Sequence, residues 1–202
     1  RIFEVALELP RIPGHFKPKV YKAFSETIGQ GDSLTDLVKL LPVDEVGDLL
    51  SNYVMSSGVA AYASGETVLS DGTTPDEEDR RQYIGELFDS ILSKEGLEDE
   101  ALGLIQNLSA GPVADVAFAR AKVLIPQLDN KSKRNRAVMR LMENVPLDEA
   151  ADYGAMLEFD NESIPKSQDV GRRLLAGIQE RPDLALPLAE TAGVVLPFID
   201  LE

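Results

Sequence analysis

Three features of the sequence predict an all-α protein. Apolar residues recur at helical spacing along most of the chain, capping residues precede those stretches, and prolines sit at or just beyond their ends. The pattern gives about eight to ten amphipathic helices. Their connections are short, which packs neighbours as antiparallel hairpins, in a bundle or a short α-superhelix. With 202 residues, 44% of them apolar, the chain is long enough to bury a substantial core.

The elements follow in order. Arg1 to Pro18 carries Ile2, Val5, Leu7 and Leu9, then Pro10, Pro13 and Pro18, and reads as a short strand or helix followed by an extended arm through His15. Val20, Tyr21, Phe24 and Ile28 then share one helical face, which Gly29 and Gly31 end. Ser33 reads as an N-cap ahead of Leu34, Leu37, Val38 and Leu41, with Pro42 as the stop. A longer helix is expected from about Asp44 to Ala63, with Val46, Leu49, Leu50, Tyr53 and Val54 inward and the small residues around Gly58 allowing a close neighbour.

Ser64 to Thr74 is the candidate boundary, poor in apolar residues and carrying Gly65, Asp71 and Gly72. It divides an N-terminal arm and small helical unit, 1–66, from a larger helical unit, 74–200, unless the two share one core. Thr74-Pro75-Asp76-Glu77 reads as cap, first turn and capping box of a helix with Tyr83, Ile84, Leu87, Phe88, Ile91 and Leu92 on one stripe. Further helices are expected at 97–108, 113–128 (with a kink at Pro126), 132–143, 147–159, 167–180 and 182–195. One echo stands out: Leu41-Pro42-Val43-Asp44-Glu45-Val46 resembles Val145-Pro146-Leu147-Asp148-Glu149-Ala150. Both place acids in a first helical turn, where the helix dipole favours them.

Composition narrows the chemistry. No stretch approaches the roughly 20 apolar residues of a membrane helix. The absence of cysteine removes disulfides, thiolate nucleophiles and cysteine-ligated zinc. The opening Arg1 reads as a processed or trimmed start, which fits a piece of a longer protein or the mature form of an exported one, and the closing Leu201-Glu202 reads as a cloning scar. A formal net charge of −15 keeps the protein soluble and opposes nucleic acid and anionic lipid.

Gly31-Asp32-Ser33-Leu34, extended by Thr35-Asp36, resembles the signature of the GDSL hydrolases. The resemblance implies a serine nucleophile after a buried first strand and a histidine base in a C-terminal Asp-x-x-His block. Here the likeness covers about six residues. The preceding stretch has helical spacing, the single histidine, His15, precedes the serine, and no Asp-x-x-His occurs. A serine hydroxyl with no base is a weak nucleophile. The acidic stretch Asp71, Asp76, Glu77, Glu78 and Asp79 lacks the alternating ligands, central glycine and closing glutamate of an EF-hand loop, and reads as an acid-rich helix start. There is no dinucleotide fingerprint or phosphate loop. No metal, cofactor or catalytic residue is assigned.

The strongest contrast is one of charge. Between residues 120 and 140 lie Arg120, Lys122, Lys131, Lys133, Arg134, Arg136 and Arg140 against the single acid Asp129, a local net of +6. Such residues can pair within their own fold or form a solvated face. They can also form a docking patch, and on that reading Lys131, Lys133, Arg134, Arg136 and Arg140 are the candidate partner-binding residues. The expected function is a non-enzymatic interaction or scaffold domain, part of a larger protein, that docks an acidic or phosphorylated protein. The alternatives are a hydrolase using Ser33 or an unidentified carboxylate, and an RNA- or DNA-binding accessory. The last is disfavoured by the negative surroundings and by the lack of aromatics between the cations.

Overall fold

A computed structural model describes residues 2–28, 33–51, 59–68, 72–157 and 166–196. Within them the protein is all-α, with helices α1 Ile2–Glu8, α2 Lys17–Ile28, α3 Ser33–Leu40, α4 Val43–Leu49, α5 Val59–Ser64, α6 Glu77–Leu92, α7 Glu98–Leu108, α8 Ala114–Leu124, α9 Lys131–Leu141, α10 Leu147–Ala155, α11 Gln168–Glu180 and α12 Ala185–Val195. Short connections turn the chain back so that neighbouring helices pack antiparallel. None of the described helices is long and apolar enough to cross a membrane.

The chain forms two compact units, Arg1–Arg120 and Ala121–Glu202, and the division falls within α8 rather than in the 64–74 connection. That connection stays inside the first unit because α3 and α5 pack on α6, and α5 also on α7. The core of this unit is built on the stripe of α6, where Ile84, Leu87, Phe88 and Ile91 are fully buried, against Leu34, Leu37 and Val38 of α3 and Ile105 of α7. The second unit is centred on the α11–α12 hairpin, with α10 against both. Its core includes Leu174, Leu188, Ala192, Val195 and Tyr153.

Local chemistry sets the helix starts. Ser167 caps α11 by accepting from the Val170 amide at 3.3 Å, and Asn130 caps α9 by accepting from the Lys133 amide at 2.9 Å. The start of α6 corrects the capping box expected at Thr74. Asp76 is the cap, its carboxylate 2.9 Å from the Asp79 amide, and Pro75 is buried just outside the helix. A carboxylate two residues later outcompetes the threonine because it also faces the helix dipole and brings Glu77, Glu78 and Asp79 into the first turn. The helix expected over 113–128 with a kink at Pro126 instead stops at Leu124, and Pro126 lies in a 3-10 turn over Ile125–Gln127, because proline cannot supply the amide that would carry the helix on. Of the helix expected over 44–63, the described residues include α4 and α5, and residues 52–58 lie outside them. Val46, Leu49 and Leu50 are buried, whereas Tyr53, Val54 and Gly58 lie outside the described residues, as do the Phe24 and Ile28 side chains. At Gly65, φ is +79°, and Gly65 and Glu66 donate back to Tyr62 and Ala61, closing α5 with a left-handed cap that a side chain would strain.

The sequence echo has a structural counterpart that runs further than the six residues that announce it. At a constant offset, Leu37, Pro42, Asp44, Glu45 and Asp48 recur as Leu141, Pro146, Asp148, Glu149 and Asp152. Burial recurs with them: Leu34, Leu37, Val38, Leu41, Val46 and Leu49 are buried, and so are Val138, Leu141, Met142, Val145, Ala150 and Tyr153. Pro42 and Pro146 adopt nearly the same conformation, φ −57°, ψ 155° and φ −52°, ψ 152°. Each lends its carbonyl to the first bond of the next helix, from Val46 at 3.0 Å and Ala150 at 2.8 Å.

In both corners a cation from a later element donates to the carbonyl before the proline: Lys94 to Leu41 at 2.8 Å, and Arg173 to Val145 and, at 2.8 Å, to Met142. In both, a lysine from an earlier helix pairs with the glutamate three residues after the proline, Lys17 with Glu45 and Lys122 with Glu149. The lysines do not correspond in position. Lys17 opens α2, whereas Lys122 lies in the last turn of α8. What recurs is a helix–proline–helix corner with the same electrostatic needs.

The α10–α12 contact depends on Gly154. A Cβ there would stand 2.8 Å from Thr191 Cγ2, and Thr191 is held by its hydroxyl's 2.8 Å bond to the Pro187 carbonyl. Gly193, in the interior of α12, has open space where its Cβ would be. Thermal unfolding should therefore separate two substitutions of the same type. Gly193→Ala should stabilise by about 0.5–1 kcal/mol through helix propensity. Gly154→Ala should destabilise by about 1–2 kcal/mol because overpacking outweighs that gain. Equal effects would show that the α10–α12 contact yields without cost.

Candidate functional site

The basic segment takes shape around α9. The helix expected over 132–143 is α9, Lys131–Leu141, with Asn130 as its cap. One face of α9 is core: Asn135, Ala137, Val138, Met139 and Leu141 are buried. Ser132, Arg136 and Arg140 form an exposed row at i, i+4 and i+8, with Lys131, Lys133 and Arg134 half-buried at its margin.

The structure divides the seven cations. Arg120 pairs with Asp89 at 2.8 Å, and Lys122 lies 3.2 Å from Glu149 and 3.3 Å from Asp152. Arg134 turns back to donate to the Leu128 carbonyl. Lys131, Lys133 and Arg140 also have polar or electrostatic interactions. Pairing within the fold therefore accounts for part of the charge contrast, and the most outward-facing cations are Arg136 and Arg140.

In the second unit Lys122 gathers several titratable groups. Its ammonium bridges Glu149 and Asp152 and lies 6.0 Å from the centre of the buried Tyr153 ring. Burial would lower the Lys122 pKa, but its hydrogen bonds to Glu149 and Asp152 outweigh burial and hold it above the usual lysine range. Burial pushes the Tyr153 phenol well up, and the charges of Glu149 and Asp152 push the same way. Both groups move away from neutrality, opposite to what proton transfer near pH 7 asks of an acid or base. The cluster ties α8 to α10.

The first unit holds an open cleft of about 310 Å³ between α4 and the start of α7, lined in part by Asp44, Asp48, Ser51 and Glu100. Ser51 Oγ lies 3.5 Å from Glu100 Oε1. Among the described residues no group of three or more His, Cys, Asp or Glu side chains could hold a metal ion. Asp76, Glu77, Glu78 and Asp79 are accounted for as the cap and first turn of α6, and Asp71 lies outside the described residues.

His15 is exposed in the turn before α2, its ring 4.2 Å from that of Phe16. Ser33 is the first residue of α3, and its side chain lies outside the described residues. The element before it is helix α2, where the GDSL hydrolases carry a strand. No protein family's profile matches the chain, and no curated protein or solved structure is significantly similar to it.

Proposed function

We propose that this chain is a non-enzymatic interaction domain that docks an acidic or phosphorylated protein segment along the outward face of α9. The observation that supports this most directly is the placement of Arg136 and Arg140 one helical turn apart on the exposed side of a helix whose other side is core. Residues four apart on a helix face the same way with Cβ atoms about 6 Å apart, and guanidinium groups suit the bidentate binding of carboxylates or phosphates. The chain as a whole carries a net charge of −15, which confines that attraction to the patch itself and disfavours nucleic acid, whose field would meet the acidic remainder. Lys131 and Lys133 flank the row, and Arg134 acts from within by bonding the Leu128 carbonyl.

The test is affinity capture with the wild-type chain and with Arg136→Ser/Arg140→Ser, both checked by circular dichroism. Capture of an acidic or phosphorylated protein by the first, reduced at least tenfold with the second, is the expected result. Arg134→Ser is the internal control, expected to lower stability rather than remove a contact with the partner. Equal capture by wild type and the double variant would return α9 to a solvated face and end this reading.

A further inference from the structure

We draw no further inference here: the strongest candidate, the open cleft of the first unit lined by Asp44, Asp48, Ser51 and Glu100 between α4 and α7, is a cluster of carboxylates, and nothing in the structure shows what it would hold.

Discussion

Replacing Arg173 with methionine should destabilise the second unit by about 3 kcal/mol. The guanidinium bonds two backbone carbonyls, Met142 and Val145, in the corner between α9 and α10. Helix ends leave such carbonyls without intrahelical partners, and the negative end of the helix dipole adds to their demand for a cation. A hydrogen bond to a charged group contributes roughly 1.5–3 kcal/mol, and a buried acceptor left without its donor costs a similar amount. Methionine keeps most of the apolar stem, so the loss isolates the head group. Burial lowers the Arg173 pKa, with the Glu180 charge opposing it, but an arginine remains protonated at any working pH. The effect should therefore not titrate between pH 5 and 9. Arg173→Lys should recover only part, because a point charge cannot fork between two carbonyls. Lys94→Met, which removes one such bond in the first unit, should cost about 1 kcal/mol. A change below about 0.5 kcal/mol for Arg173→Met in denaturant unfolding would mean that water replaces the guanidinium freely.

The second large effect belongs to Glu45. Its carboxylate is buried between α4 and α2, where Lys17 and Tyr21, one turn apart, both donate to it. Removing one member of a buried pair leaves the other charge uncompensated, at a cost of about 3–5 kcal/mol. Lys17 keeps 21% of its side chain in solvent, which softens that penalty. Glu45→Gln should therefore cost about 2–3 kcal/mol. Its pH dependence distinguishes it from the arginine. Burial alone would raise the Glu45 pKa, but the Lys17 and Tyr21 hydrogen bonds and the Lys17 charge outweigh it, so the folded value lies below the ordinary one. A depressed carboxylate contributes stability that is complete above the unfolded pKa of about 4.3 and fades as pH falls through the folded value. The gap between wild type and Glu45→Gln should hold constant from about pH 8 to 6 and narrow below about pH 4. A gap that stayed constant into strong acid would place the cost in packing rather than charge.

The fold class was legible because helical periodicity and helix-end residues are local signals, although Ser167 caps α11 rather than opening it and Pro126 lies beyond α8 rather than kinking it. The cap falls at Asp76 rather than Thr74 because both residues suit that role two positions apart, and the carboxylate is favoured by the helix dipole. The 64–74 connection looks like a boundary by composition, but long-range contacts between α3, α5 and α6 hold its two sides together. The basic segment was visible as charge. Which cations are already committed was not, since Arg120 reaches an acid 31 residues away and Arg134 a backbone carbonyl that no sequence pattern marks. Glu45 was hidden for the same reason. Its partners lie 28 and 24 residues earlier on another helix, and it reads locally as one more acid in a first turn.

The two proline corners also differ in how far the chain must reach to secure them. Lys94 closes on Leu41 across 53 residues, whereas Arg173 closes on Val145 across 28. Ring closure in a flexible chain grows only logarithmically with length, so the longer span carries about 0.6 kcal/mol more entropic cost at the moment of closing. The corner of the second unit can thus be locked once α11 folds back on it. That of the first also needs the far end of α6 brought round, so on sequence separation alone the second corner should form before the first, an order that refolding followed at each corner would read.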